Sequence, residues 1–319
     1  MVQNFLYCFD SNYNTQATLS MYSLLEHVEK KINIFIIHKE SNYLSSLNEK
    51  IKNHKNLGAI EVFKFNQKNI KFPNLANNHI SEATYYRLFI STYLPKNLDF
   101  ITYLDADTIC TNNPTQEIEN IQRIMVNRYS VSVKTEITRN EWSESLFKNL
   151  DMKNNNYFNA GVMIINLEEW YKNNIENIAQ KKIVTLANKL KFWDQDILNS
   201  IFDGNYHELK STMNSIISLD TNKKDYKNQV KIFSNQNLPQ IIHYAGSSKP
   251  WSLEGIFLKD SMYYQQIYTD VYSKKYHLEI KWKTHAIKTL INNLKNRNIL
   301  FIEYPLALLW RVFVEVLKK

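Results

Sequence analysis

The chain has 319 residues, 44% hydrophobic and 13% aromatic, enough apolar material for one large or two small domains with a sizeable core, which excludes a disordered chain. The formal net charge is +8, but residues 271–319 hold ten Lys/Arg against three Asp/Glu while the first 270 residues are within one charge of neutral, so the basic pI is no nucleic-acid footprint over the body. The two cysteines, Cys8 and Cys110, lie in apolar runs and exclude a disulfide framework or a Cys-based zinc site, as in a reducing compartment.

No signal-peptide pattern opens the chain, and no stretch reaches the roughly 20 apolar residues that cross a bilayer. Glycines number only five, so asparagines are expected at many positive-φ turn positions. Val2 to Phe9 reads as a buried strand closing at Asp10-Ser11-Asn12-Tyr13. Thr15 to Val28 has helical spacing, Ile32 to Ile37 is a β-branched run, Asn42 to Lys55 a polar amphipathic helix, and Ile60 to Phe65 a third strand. This alternation predicts βαβ units in a mostly parallel sheet. The turn after the first strand holds no glycine, which argues against a dinucleotide fingerprint or a P-loop.

His79 to Leu94 predicts a helix opened by Ser81, with Tyr85, Leu88, Phe89 and Tyr93 facing the sheet. Arg87 inside it either snorkels to the surface or points at the end of the next strand. That strand, Phe100 to Leu104, runs into Asp105-Ala106-Asp107. Ligands bind beyond the carboxyl ends of strands in open α/β sheets, and two carboxylates there suit Mg²⁺ or Mn²⁺ shared with a diphosphate. A bare Asp-x-Asp is more often a cap or a turn.

Asn112-Asn113-Pro114 is a stop signal, and Tyr129 to Val133 reads as another strand. Glu136 to Asn155 is a mixed polar excursion, and Tyr157 to Leu167 is a second apolar strand enclosing Asn159, a structural bridge or a ligand contact. Helices follow from Glu168 to about Leu190. In Phe192 to Asn199, Asp194 is placed to cap the following helix, which leaves Gln195 unexplained. Residues 205–240 look irregular. Gln240 to Trp251 is a short strand ending in a basic turn. His243 alone would more often be a core histidine, but Gly246 and Lys249 beside it suggest a diphosphate clamp.

Four stretches, Tyr103–Thr108, Tyr157–Leu167, Trp193–Asn199 and His243–Trp251, with Ala83–Leu88 as weaker support, occur in an order that resembles the retaining glycosyltransferases of family 8, most closely the bacterial lipooligosaccharide α-galactosyltransferases, over about residues 2–255. The resemblance implies an α/β, Rossmann-like GT-A fold: a mostly parallel sheet flanked by helices, with residues 1–270 as the nucleotide-sugar domain and 271–319 as a basic helical tail. It implies that Asp105, Asp107 and His243 hold Mn²⁺ or Mg²⁺. Gly246 and Lys249 would contact the diphosphate, and Asp10 and Asn12 the nucleoside. Arg87, Asp105, Ala106, Asp107, Asn159, Asp194 and Gln195 would line the donor site, with Gln195 nearest the anomeric carbon. Glu136 falls where close relatives bind the acceptor with an Asp.

The implied reaction is retaining transfer of a hexose, galactose favoured over glucose, from a UDP-sugar to a saccharide acceptor, lipid-linked in the reading of the tail. An amide at Gln195 is a poor nucleophile, which favours a front-face mechanism; an adduct with Gln195 or Asp194 stays open. A non-catalytic nucleotide- or carbohydrate-binding protein is the competing class; nucleic acid is not expected as a partner. Basic residues mixed with Tyr272, Tyr276, Trp282, Phe301, Tyr304, Trp310 and Phe313 fit a segment lying on an anionic membrane, a cytoplasmic, peripheral location, or else a solvated basic helix packed on the core.

Overall fold

The computed structural model describes residues 2–317 apart from 41, 68–69, 74–80, 141–143, 218–238, 247, 281–287, 289, 293–294 and 296–301. The described strands are β1 (Asn4–Phe9), β2 (Ile32–His38), β3 (Leu57–Lys64), β4 (Phe100–Leu104), β5 (Thr108–Cys110), β6 (Val131–Thr138), β7 (Asn156–Asn166), β8 (His207–Glu208), β9 (Ser215–Ile216) and β10 (Ile241–His243). Seven make one sheet in the order β3-β2-β1-β4-β7-β6-β8, and the others a small sheet β5-β10-β9. Pairing from β3 through to β4 is parallel and β6–β8 is parallel, whereas β7 runs antiparallel to both β4 and β6. The sheet is therefore mainly parallel, as the alternating pattern predicted.

Both faces of this sheet are covered, which is why β1 reads as a continuous apolar run rather than an alternating one. Leu6 and Cys8 join one core with Tyr103, Met163 and Trp170. Phe5, Tyr7 and Phe9 point the other way and join a second core with Leu24, Ile34 and Ile164. Cys8 and Cys110 are buried free thiols.

Three local expectations fail. The single helix expected over Asn42–Lys55 is two turns, Tyr43–Ser46 and Glu49–Lys52. Asn48 is extended between them and its side chain caps the second by accepting from Lys50 N (2.9 Å). The helix expected from His79 to Leu94 begins outside the described residues; its described part is a 3-10 helix, Glu82–Phe89, followed by one α turn, Ile90–Tyr93. Ser81 opens it as expected, and Tyr85, Leu88, Phe89 and Tyr93 do pack on the core. Among the described residues, positive φ falls to Asn at two of seven non-glycine positions, Asn127 and Asn174.

Beyond residue 270 the chain turns back onto the body. Glu279 N donates to Trp251 O (2.8 Å), and Tyr276 and Leu278 pack with Leu253, Ile256 and Phe257. The last helix, Pro305–Leu317, buries Leu308 and Val312 in the same cluster. Trp282 and Phe301 lie outside the described residues.

Candidate active site

Where β4 ends, Asp105 N still donates to Gly161 O on β7 (2.8 Å), and Asp105 O accepts from both N (3.2 Å) and Oγ1 (2.8 Å) of Thr108. These bonds fix the turn Asp105-Ala106-Asp107, with Ala106 buried as its apolar foot. β10 then pairs antiparallel with β5, setting His243 opposite Thr108, and Tyr244 N donates to Asp107 O (3.1 Å). Register alone thus carries a histidine 136 positions distant in sequence to the mouth of the acidic turn.

His243 Nε2 stands 3.4 Å from Asp107 Oδ1 and 3.8 Å from Asp105 Oδ2. Donor atoms of Asp105, Asp107 and His243 lie within 4.8 Å of one another. Asp107 Oδ1 is buried and accepts no hydrogen bond, an arrangement that costs free energy unless a cation or other partner is supplied. Two carboxylates and one imidazole in this spacing could hold a divalent ion. Asp107 Oδ2 meets Lys249 Nζ at 2.6 Å. Burial opposes charge on Asp107, but the Lys249 ammonium more than offsets it and holds the carboxyl well below its usual range. Lys249, itself buried, is kept protonated mainly by Asp107 and also donates to Tyr244 O (2.7 Å). Gly246, at φ +87°, lets the loop between His243 and Lys249 turn through a conformation other residues rarely adopt.

Arg87 settles on one of its two readings. It is 5% exposed and does not snorkel. Its guanidinium lies 3.1 Å from Asp105 Oδ1 and 2.8 Å from Asp194 Oδ2, donates to Ala160 O (2.6 Å), and stacks 4.5 Å over the Tyr103 ring. Asp194 does not cap its helix, Trp193–Phe202. It accepts from Thr84 Oγ1 and faces Arg87, while Asp196 takes the backbone N–H of Phe192 (2.7 Å) and that of Lys191. Asp194 is pushed up to about 6, burial outweighing the pull of Arg87. Trp193 enters this helix at φ +49°, a strained conformation for a bulky residue and one that aims the two residues after it.

Gln195 is held at both ends: Oε1 accepts from Ala160 N (2.9 Å) and Nε2 donates to Tyr157 OH (3.3 Å). Asn159, buried, accepts from Gly161 N (2.9 Å) and donates to exposed Glu136 (3.1 Å). Asp10 and Asn12 follow β1; Asp10 accepts from Asn12 N (3.0 Å) and from the Ser81 hydroxyl.

Several residues that sequence reasoning passed over hold this geometry. A Cβ on Gly161 would lie 2.1 Å from His243 Cε1, so only glycine lets the imidazole sit against β7. A lone glycine inside an apolar strand, in a chain with five, was the available signal. Thr84 and Tyr157, which hold Asp194 and Gln195, lie inside the stretches Ala83–Leu88 and Tyr157–Leu167, whereas Asn214, buried beside His243, had no signal.

The family model described as Glycosyl transferase family 8 matches residues 4–255. A lipopolysaccharide 1,2-glucosyltransferase of Escherichia coli is 30% identical over 252 residues, 76% of this chain and 71% of that one. A lipopolysaccharide 1,3-galactosyltransferase of Salmonella typhimurium is 28% identical over 183 residues, 55% and 51% of the two chains. The crystal structure of galactosyltransferase LgtC with donor and acceptor sugar analogues superposes with a TM-score of 0.67 at 20% identity, covering 85% of this chain and 96% of that one. At that identity the likeness speaks for the fold, which is the expected GT-A arrangement.

Proposed function

The chain belongs to glycosyl transferase family 8, and on that premise we propose that it moves a hexose, galactose in the favoured reading, from a UDP-sugar to a saccharide acceptor of a cell-surface glycan, with retention of configuration and with Mn²⁺ as the preferred ion. The observation that carries the reading is the Asp105–Asp107–His243 cluster beside the buried Lys249, at the carboxyl end of the sheet. Glucose is the second reading, favoured by the Escherichia coli relative. The two sugars differ at one hydroxyl, so a single polar contact decides between them.

A cation held there supplies Lewis-acid stabilisation of charge on the leaving diphosphate. The chain's own groups have separable tasks. Lys249 brings a second positive charge to the same end of the donor, and the left-handed turn at Gly246 brings backbone within reach of it. Arg87 is locked between Asp105 and Asp194, so both carboxylates are oriented before any sugar arrives. Gln195 presents a neutral dipole held by Ala160 and Tyr157, suited to an oxocarbenium-like centre rather than to nucleophilic attack. In the front-face course the C1–O bond to the diphosphate breaks, the acceptor oxygen bonds C1 on the same face, and its proton passes to the departing phosphate oxygen. Glu136 would touch the acceptor, which is consistent with its exposed position beside Asn159.

The tail adds a membrane-facing element to this proposal. Leu306, Trp310, Phe313 and Leu317 are exposed at a spacing of three and four along Pro305–Leu317, opposite buried Leu308 and Val312. Such a stripe on a basic segment suits the interface of an anionic bilayer. No helix among the described residues is long and apolar enough to cross a membrane.

The test is a panel of UDP-hexoses with Mn²⁺, scored for UDP release with and without saccharide acceptors. Turnover of UDP-galactose above the other donors is expected. No turnover of any UDP-hexose by folded, Mn²⁺-supplied protein would overturn the reading.

A further inference from the structure

Behind the acidic cluster lies a chain of four polar side chains whose hydrogen-bond directions can be worked out from one fixed donor. Gly161 N–H is a backbone donor and points at Asn159 Oδ1 (2.9 Å), so that atom is an acceptor. The group of Asn214 that meets the same Oδ1, at 3.1 Å, must then be its NH₂. The other end of the Asn214 amide is therefore its oxygen, and it faces His243 Nδ1 at 3.2 Å. A carbonyl oxygen accepts, so Nδ1 carries the ring proton and Nε2 presents its lone pair to Asp105 and Asp107. At its far end Asn159 Nδ2 donates to Glu136 Oε2 (3.1 Å), which completes the chain from exposed Glu136 to the imidazole. Asn214 and His243 are 2% and 4% exposed, so water does not substitute for these partners.

We propose that Asn214 is a positioning residue that holds His243 as the Nδ1–H tautomer, Nε2 turned to the two carboxylates, and that fixes the ring to Asn159 in the same stroke. The inference rests on the reading of Asp105, Asp107 and His243 as a divalent-cation site. The wrong tautomer would aim an N–H at that site, where a lone pair is needed, and a ring without its second partner would be free to rotate. Packing against Gly161 blocks retreat on one side, and Asn214 supplies the polar restraint on the other.

Two readouts test this, neither of them turnover. Long-range ¹H–¹⁵N spectra of the cation-free protein, at a pH where the ring is neutral, report which nitrogen of His243 is protonated. Titration calorimetry with Mn²⁺ in the presence of UDP reports affinity. Wild type should show the Nδ1–H form. Asn214→Ala should show a mixture of tautomers and bind Mn²⁺ about 10–100-fold more weakly, with its circular dichroism unchanged. Asn214→Leu keeps the volume but offers no acceptor to Nδ1, and should lose the tautomer and the affinity as Asn214→Ala does, which a purely packing role would not predict. An Nε2–H form in wild type overturns the proposal without recourse to any variant. So does Mn²⁺ affinity in folded Asn214→Ala within about twofold of wild type, against the loss expected for second partners. Wild type that holds the Nδ1–H form yet binds no Mn²⁺ would instead remove the cation-site reading, leaving the positioning of the ring intact.

Discussion

Gly161→Ala isolates the fit between β7 and the imidazole. The backbone of Gly161 is not in the left-handed region, so alanine adds no conformational strain there; the whole effect is steric. The new methyl would meet His243 Cε1 at 2.1 Å, Nδ1 at 2.6 Å and Nε2 at 2.7 Å, whereas ordinary contact begins at 3.4 Å. Ring or strand must give by roughly 1.3 Å, the difference between the first and last of these values. The strand is held by Asp105 N to Gly161 O (2.8 Å), so the ring moves, and Nε2 leaves its place 3.4 Å from Asp107 Oδ1. Metal–ligand distances tolerate only about 0.2 Å, so a displacement of this size removes the ligand. Loss at or beyond the upper end of a 10–100-fold range in Mn²⁺ affinity is expected, about 2–3 kcal/mol, with an overpacking cost to stability of about 1–3 kcal/mol. Calorimetric titration of Mn²⁺ with UDP present, on protein checked for fold by circular dichroism, measures it. Affinity within about twofold of wild type would refute the reasoning that glycine is there for the histidine.

Gln195→Ala should lower kcat far more than it weakens UDP binding, because the amide is held at Ala160 and Tyr157 and not on the nucleotide; equal loss of UDP affinity at unchanged kcat would contradict that role. Asp194 sits at about 6 in the fold against about 3.9 unfolded, so it binds its proton more tightly when folded. Its stabilising contribution is complete below pH ~4 and is lost as pH rises through about 6, on the order of 3 kcal/mol in all. Asp194→Asn should therefore gain stability relative to wild type between pH 4 and 7, read from paired urea titrations, and a flat difference over that window would count against the burial argument. Truncation after residue 303 keeps Tyr276 and Leu278 on the body, so donor hydrolysis should persist while salt-sensitive binding to anionic vesicles is lost. Vesicle binding unchanged by the truncation would place the contact elsewhere.

The longer strands were legible because each carries its own apolar signal, whereas β5, β8 and β9, of two or three residues each, carry none and were not read; the acidic turn was legible because it follows β4. The short helices were not. Asn48 breaks Asn42–Lys55 with a cap no periodicity reveals, and in the segment from Ser81 to Tyr93 the Arg87 side chain takes the Thr84 carbonyl that an α-helix would give to a backbone N–H. Arg87 could be read either way from sequence, since its choice depends on Asp105 and Asp194, 18 and 107 positions away. Asp194 looked like a cap for the same reason: its partner is not local. Asn214 lies in a polar stretch with no pattern, and only the pairing of β9 with β10 brings it to His243. What the sequence hides here is long-range register, and the second layer of the site is built from it.

The most direct test of the account is the fate of a UDP-hexose followed by proton NMR with the full-length protein, Mn²⁺ and a saccharide acceptor, run beside the same mixture in excess EDTA and beside Asp107→Ala. The account predicts an α-linked product and free UDP with Mn²⁺, and almost none in either comparison, since loss of the cation or of one ligand removes several kcal/mol of leaving-group stabilisation. Undiminished transfer in EDTA, or a β-linked product, would contradict it.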